Sequence, residues 1–417
     1  MTAGAASPIQ TVERYASIDL LRGVGVLGIL VINIQLFSMP FAMSVNPTAL
    51  GDRGTLDFAI WVASHLFFDQ KFMTIFSLLF GAGILIMTSR AESHSGRSAA
   101  LHYRRMFWLL AFGLVHAYLI WYGDILVLYA ICGFAVYPFR RRKPVTLLVL
   151  GLLALSVGAA LGIAAGLAVS AAPPEAQHEI VGFWAPDPVT VREEIDAFRG
   201  GWLAQMPMRV AYSMDFHTSD LWTWGIWRAG GLMLVGMALC KWRVLTGELP
   251  PRFYKTLAIA GFLIGLPIVA LGVWQMNAWQ WEAVRSYFFG SQFNYWGSLP
   301  VSCGWIGLFM LLGRQDSLCW FDARLIAVGR TAFSSYILTS VACTFVFYGH
   351  GFALFGTVGR PAQLIVTLVV WTVLLIAAPL WLDRFQFGPL EWLWRSLTYG
   401  ERQPMRRGNT PAVLSIP

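Results

Sequence analysis

Charge is scarce in this chain: 22 acidic and 30 basic residues among 417, 12% in all. A soluble domain of ordinary composition carries about 25%, so a conventional water-soluble enzyme is excluded. Cysteine is also sparse. Cys132, Cys240, Cys303, Cys319 and Cys343 are odd in number and show no C-x-x-C, which argues against a disulfide scaffold or a zinc site and reads as small packing residues. There is no Walker loop, no G-x-G-x-x-G after a strand, no His-rich metal spacing and no G-x-S-x-G elbow. ATP-driven transport by this chain alone is disfavoured, and neither a metal nor a tightly bound cofactor is expected. The first sixteen residues lack a basic stretch leading into an apolar run and cleavage site, so a cleaved signal peptide is not expected.

What is abundant is apolar surface: 57% hydrophobic residues and nineteen Trp. That composition is of an all-α, polytopic membrane protein, in which length sets the number of passes. The formal net charge of +8 would point a soluble chain toward nucleic acid. Here it resides in short loops, so no nucleic-acid partner is expected and lipids are the surrounding medium.

Ten segments are long enough, or nearly so, to cross about 30 Å of hydrocarbon: 20–38, 72–89, 106–121, 125–138, 145–169, 222–240, 254–276, 296–313, 325–347 and 361–382. Basic clusters at Arg90, Arg97, Arg104 and Arg105, at Arg140 to Lys143, at Lys241, Arg243, Arg252 and Lys255, and at Arg314 and Arg324 mark cytoplasmic loops by the positive-inside rule. Both termini then lie inside. Segment 56–70, apolar but carrying His65 and Asp69, breaks that parity as a full span and reads as an extra interfacial or re-entrant helix. A tilted span with an outside N-terminus is the alternative. The polar, acidic stretch 171–221 belongs outside with a short helix near 189–206, dividing a membrane half at 1–170 from a second at 222–400. Residues 401–417 read as a flexible tail. No repeat relates the halves, so an inverted-repeat transporter finds no support in the sequence.

Three constellations carry chemistry. Asp19 and Arg22 stand three apart at the mouth of the first span, sharing a helical face with Val26 and Asn33. A charge at mid-bilayer costs at least about 2.5–3.5 kcal/mol, so such residues pair, point inward or serve a function. They equally suit capping and anchoring at the headgroups, and Asn33 suits interhelical hydrogen bonding. His116 lies within a span and Asp124 two turns on, about 12 Å away if one straight helix continues. Histidine is the side chain best suited to act as a base near neutral pH, and a carboxylate can orient it. The two meet only if Gly123 breaks the helix. A His bonded to a neighbouring helix and an Asp capping the next span fit the same residues.

The third constellation is Gly329-Arg330 with the hydroxyls up to Tyr336, together with the segment 385–400. Arg330 and the hydroxyls suit a phosphate clamp or headgroup anchoring. The tail segment, with Glu391 and Arg395 at i, i+4 spacing, reads as an amphipathic helix on the inner membrane surface.

Asp19-Leu-Leu-Arg22-Gly23 with Asn33, Phe76-Ser-Leu-Leu-Phe-Gly-Ala-Gly83, His116 with Gly123-Asp124-Ile-Leu, Gly329-Arg330 and Gly388-Pro-Leu-Glu-Trp-Leu-Trp-Arg395 resemble the YeiB-like family of bacterial inner-membrane proteins. The match runs from Arg14 to Gly400. The opening motif also resembles the first helix of the transmembrane acyltransferases, which move an acyl group from acyl-CoA to a hydroxyl or amine of a glycan. Many of those enzymes carry a functional His along that helix where this chain has Asn33, so His116 or His65 must supply the base. The resemblance implies a multi-pass inner-membrane acyltransferase with acyl-CoA as co-substrate and a glycan or lipid-linked acceptor. His116 and Asp124 are then the catalytic pair, and Asp19, Arg22, Asn33, Arg330, Tyr336, Glu391 and Arg395 the substrate-binding groups. A secondary transporter of a small organic solute, using Asp19, His116 and Asp124 as proton-relay groups, is the reading from another class. A homo-oligomer is compatible with either.

Overall fold

The computed structural model describes residues 15–406 except 52–53, 96–97 and 316–318. Arg14, Arg97 and tail residues 407–417 fall outside it, as does the side chain of Arg90. In chain order the α-helices are α1 (Ala16–Ser38), α2 (Phe41–Val45), α3 (Thr55–Phe67), α4 (Lys71–Ser95), α5 (Ser98–Val115), α6 (Leu126–Val136), α7 (Pro144–Ser170), α8 (Pro174–Val181), α9 (Pro188–Arg199), α10 (Met206–Asp215), α11 (Ile226–Lys241), α12 (Pro251–Ala278), α13 (Ser291–Leu312), α14 (Cys319–Arg330), α15 (Ala332–Phe347), α16 (Arg360–Arg384) and α17 (Pro389–Tyr399). Among the described residues there is no strand beyond one isolated bridge between Phe385 and Arg406. The protein is an all-α transmembrane bundle.

Among the described residues six helical stretches are long and apolar enough to cross a bilayer, and a seventh if the bent pair α14 and α15 counts as one span. The count of ten read from hydropathy is therefore not reached by single regular helices. The shortfall has local causes. Helix α6 has only 11 residues and α11 only 16, each extended by a 3₁₀ or π-helical segment, while α5 carries Arg104 and Arg105 within its 18 residues. The segment expected as a straight span over 325–347 turns through 85° at Thr331. Segment 56–70 is α3 followed by a short break and then α4. The two form one apolar stretch of 35 residues, about 52 Å by helical rise, too long to be wholly inside hydrocarbon.

Helix α1 is the axis of the bundle: 72% of its apolar window is buried, against 17% for α16. Leu167 on α7, Leu263 on α12 and Ile365 on α16 are among the large apolar side chains left exposed. Lipid tails solvate such faces, so hydrophobicity alone does not hold the helices together; close packing does. Glycine supplies it. A Cβ at Gly81 would lie 2.0 Å from the Met233 carbonyl oxygen and one at Gly236 2.0 Å from that of Leu78, bringing α4 and α11 into backbone contact. Helix α1 likewise meets α14, α15 and α16, and α11 meets α4, α6 and α7. The two sequence halves thus interleave and share one core.

At the end carrying the acidic stretch, Asp187 caps α9 by accepting from Val189 N at 2.8 Å and Thr190 N at 3.1 Å; the helix expected near 189–206 thus starts as expected but ends at Arg199, before Gly200 and Gly201. Arg360, buried, bonds Asp57, Gln35 and the Met43 carbonyl, tying α16 to α3, α1 and α2. At the basic end the first tail residues are pinned, not free: Gln386 N donates to Met405 O at 2.9 Å and Trp392 Nε1 to Gln403 O at 2.7 Å.

Candidate functional site

Helix α5 runs from the basic end toward mid-bundle and finishes in a π-helical turn, His116–Ile120, after which Trp121 is extended (φ −157°, ψ 129°). The chain reverses over the next four residues and starts α6. Glycine at 123 is required because a Cβ there would sit 2.3 Å from the Trp121 ring. The break therefore begins two residues earlier than Gly123, and it folds Asp124 back. His116 Nδ1 and Asp124 Oδ1 are 2.8 Å apart. Asp124 Oδ2 accepts from Val127 N at 2.8 Å, which ties the same carboxylate to the first turn of α6. Against an ionised carboxylate Nδ1 is the donor, and in the neutral imidazole Nε2 then carries the lone pair. Facing that lone pair is Ser340 Oγ of α15, 2.9 Å away. All three side chains are buried.

Ser340, His116 and Asp124 thus form a hydroxyl–imidazole–carboxylate chain at mid-bundle. In that order of contacts, the imidazole can take the hydroxyl proton while the carboxylate stabilises the resulting cation. Among the described residues no group of three or more His, Cys, Asp or Glu is disposed to hold a metal.

One turn back along α15 from Ser340 is Tyr336. Its ring centroid lies 5.1 Å from that of His116, and its hydroxyl makes a long 3.4 Å contact to the Gly123 carbonyl. Tyr336 also forms the inner wall of a cavity of about 260 Å³ that leads toward the basic end. Tyr15, 41% exposed, and Arg22 stand at its mouth. Apolar residues including Leu109, Ile125, Leu126 and Phe76 line its depth, and the charged groups are Arg22, Arg105, Arg330 and Arg395 with Asp19 and Glu391. Four guanidinium groups against two carboxylates leave a formal surplus of two positive charges. Such a chamber suits a ligand with an anionic head and an apolar extension.

The two carboxylates are engaged by the protein. Asp19 Oδ1 accepts from Arg22 at 2.9 Å. Glu391 accepts from Phe333 N at 2.7 Å and Ser334 N at 3.1 Å, so it caps α15 and docks α17 beneath it. Burial raises the Glu391 carboxyl above the ordinary range, and these hydrogen bonds oppose that rise. Its observed part in the site is to position α15, and with it Ser340. Arg105 stacks 4.3 Å over the Trp394 ring, a second contact that seats α17. Gly83 leaves room for Arg22: a Cβ there would come within 3.3 Å of its Nη2.

Of the residues singled out in sequence, Asp19, Arg22, Arg330, Tyr336, Glu391 and Arg395 line one cavity, and His116 and Asp124 meet just behind Tyr336. Asn33 is half-buried on α1 and is not on the cavity wall. His65, the other base considered, pairs with Asp69 at 3.0 Å elsewhere, beside buried Lys71 and Asn294. Cys319 is exposed, unlike the buried Cys132, Cys240 and Cys343. Sequence reasoning missed three members: Ser340, one hydroxyl among several on α15; Arg105, which looked like loop charge beside Arg104; and His102, which lines the cavity and bonds the Gly133 carbonyl at 2.9 Å. Only Arg105 carried a signal, as a second Arg on the buried side of a helix.

Three curated relatives align with nearly the whole chain. Uncharacterized protein YeiB of Escherichia coli (strain K12) is 32% identical over 93% of this chain and 96% of its own length. Uncharacterized protein YxaH of Bacillus subtilis (strain 168) is 30% identical over 96% and 98%. The chain belongs to the YeiB-like family. A 39.9 kDa protein encoded in the amylase 3′ region of Bacillus acidopullulyticus is 24% identical over 95% of the chain. No solved structure matches. Residues 239–401 also match a family model described as a protein of unknown function, DUF418. In this YeiB-like chain that segment contributes Arg330, Tyr336, Ser340, Glu391 and Arg395, while Asp19, Arg22, His116 and Asp124 precede it. The site is assembled across that boundary.

Proposed function

We infer that this protein is a membrane-embedded acyltransferase, moving an acyl group from an acyl thioester such as acyl-CoA to a hydroxyl or amine of a glycan or lipid-linked acceptor. One observation carries the reading: the Ser340–His116–Asp124 chain lies one helical turn from the arginine-lined cavity. His116 is the general base, Asp124 holds its tautomer and stabilises the imidazolium, and the arginines hold the donor phosphates. The apolar walls take the acyl chain and pantetheine arm. The enzyme sits in the bacterial inner membrane with both termini and the cavity mouth in the cytoplasm, a placement supported by the basic loops.

The transporter alternative uses Asp19, His116 and Asp124 as proton-relay groups, and His65–Asp69 with buried Lys71 and Arg228 forms a second polar network where α3, α4, α11 and α13 meet. Acyl transfer is preferred because the Ser340 hydroxyl completes a hydroxyl–imidazole–carboxylate chain that a proton relay does not need. The test is incubation of purified protein with labelled acyl-CoA and a set of glycan and lipid acceptors. Acyl transfer that disappears in His116→Ala supports the enzyme. Absence of transfer and of thioester cleavage, together with pH-driven solute uptake in proteoliposomes, overturns it.

A further inference from the structure

We propose that Ser340 is a covalent nucleophile and that transfer proceeds in two steps through an acyl-Ser340 ester. The proposal rests on the acyl-transfer reading and adds to it the residue that carries the group between substrates.

The first argument is the direction of the hydrogen bonds. Asp124 Oδ1 takes the Nδ1 proton and Oδ2 takes the Val127 amide, so the carboxylate is held at both oxygens and cannot rotate away. In the neutral imidazole Nε2 is then the acceptor, and Ser340 Oγ is 2.9 Å from it. The Ser340 hydroxyl has a competing acceptor in the Tyr336 carbonyl at 3.3 Å, which is the longer contact. An imidazole meant only to be satisfied in the core needs a partner at each nitrogen, but not one that is itself a potential nucleophile aligned with a buried carboxylate behind the ring.

The second argument is space. A cavity of about 260 Å³ is smaller than the roughly 300–1,000 Å³ common for single-ligand pockets. A donor seated there leaves its nucleotide outside the mouth, and the apolar depth then holds the acyl-pantetheine arm with no room for a glycan acceptor beside it. Sequential occupancy requires the enzyme to hold the acyl group meanwhile, and the hydroxyl that faces the His116 imidazole is that of Ser340, one turn beyond Tyr336 on α15. Tyr336 stands between the chamber and His116, so its ring must swing aside to admit the thioester carbon.

In the first step, Ser340 Oγ attacks the thioester carbonyl carbon while His116 Nε2 takes its proton. The C–O bond forms, the C–S bond breaks, and His116 returns the proton to the departing sulfur, releasing a thiol. In the second, the acceptor hydroxyl or amine attacks the ester carbon and loses its proton to His116. The Ser340–acyl bond breaks, and Oγ recovers the proton.

The test uses the full-length protein in detergent or nanodiscs with two probes. Acetyl-CoA and palmitoyl-CoA, followed by acid quench and peptide mass spectrometry, report an ester at Ser340. A fluorophosphonate, which reacts with activated serines whatever the natural donor, reports nucleophilicity through loss of fluoride. We expect Ser340 to be labelled by the fluorophosphonate and by at least one thioester, labelling to fall at least tenfold in His116→Ala and Asp124→Asn, and Ser340→Ala to lose both labelling and transfer while remaining monodisperse with an unchanged melting curve. Transfer in Ser340→Ala at the wild-type rate, with His116→Ala inactive, overturns the nucleophile and leaves the acyltransferase standing. Fluorophosphonate labelling of Ser340 without cleavage of any thioester overturns the acyl-CoA reading instead. Absence of labelling by every probe overturns the nucleophile, and absence of transfer and of thioester cleavage as well overturns both. Should Ser340→Ala fail to fold, Ser340→Cys serves in its place: a thioester at that position, sensitive to neutral hydroxylamine, is expected, and its absence counts against the proposal.

Discussion

Gly23 and Gly329 place α1 and α14 in backbone contact. A Cβ on Gly329 would lie 1.8 Å from the Asp19 carbonyl oxygen and 2.8 Å from Gly23 N, and one on Gly23 would lie 1.9 Å from the Leu325 carbonyl oxygen. The chain neighbours of these glycines, Arg22 and Arg330, therefore share one cavity wall. Any side chain at either position forces the helices apart. Gly329→Ala should destabilise the protein by about 1–3 kcal/mol and weaken donor binding. A lowered melting temperature in detergent checks this; an unchanged melting curve would refute the crossing as drawn.

Asp124 has two tasks, holding His116 and starting α6. Asp124→Asn keeps a side-chain acceptor for Val127 N but reverses the preferred imidazole tautomer, so turnover should fall by about 10²–10⁴-fold with little change in donor affinity. Steady-state kinetics with labelled acyl-CoA separate the two. An effect confined to KM would mean that Asp124 acts in binding.

The arginine wall should respond to the donor's phosphates and to nothing else about it. Arg22→Ala or Arg395→Ala is expected to weaken acyl-CoA binding by about 10- to 100-fold while leaving the affinity for an acyl-pantetheine without phosphates unaltered. Titration of both ligands against both variants decides the matter, since equal losses would point to altered packing of the chamber.

Glu194 on α9 is buried and accepts the Phe41 amide at 3.0 Å, joining the acidic stretch to α2. Burial pushes its carboxyl up to about 7, against the pull of the Phe41 amide and the Tyr212 hydroxyl. Between its ordinary value near 4.5 and about 7, the docked carboxyl keeps a proton that an undocked one has lost. Docking should therefore weaken as pH rises through that window and level off above it. Hydrogen exchange of residues 188–199, corrected for intrinsic rates, should show protection falling from pH 5 to pH 8 in the wild type and flat in Glu194→Gln. Protection that grows with pH would reverse the sign and dismiss the assignment.

The basic ends of the helices should face the cytoplasm. A green fluorescent protein fused after residue 417 should fluoresce, and an alkaline phosphatase inserted within the 171–187 stretch should be active. The opposite pair of results would invert the topology and move the cavity mouth to the outer face.

Composition and hydropathy alone determined the membrane class and most of the helices, because a bilayer imposes a length and an apolarity that local sequence must satisfy. They also picked out most of the charged groups on the cavity wall, since ionisable groups in an apolar chain are few enough to stand out. What they left undecided was every relationship between elements. Whether His116 and Asp124 stood 12 Å apart or in contact depended on a π-helical turn and on Trp121 lying across Gly123, and hydropathy does not register such a turn. The 85° bend at Thr331 is equally silent in sequence, although it swings α15 inward so that Ser340 meets His116 from 224 residues away. The participation of Ser340 was invisible for the same reason: a serine in an apolar helix has no distinguishing local pattern. It acquires a role from the imidazole that the tertiary fold sets against it.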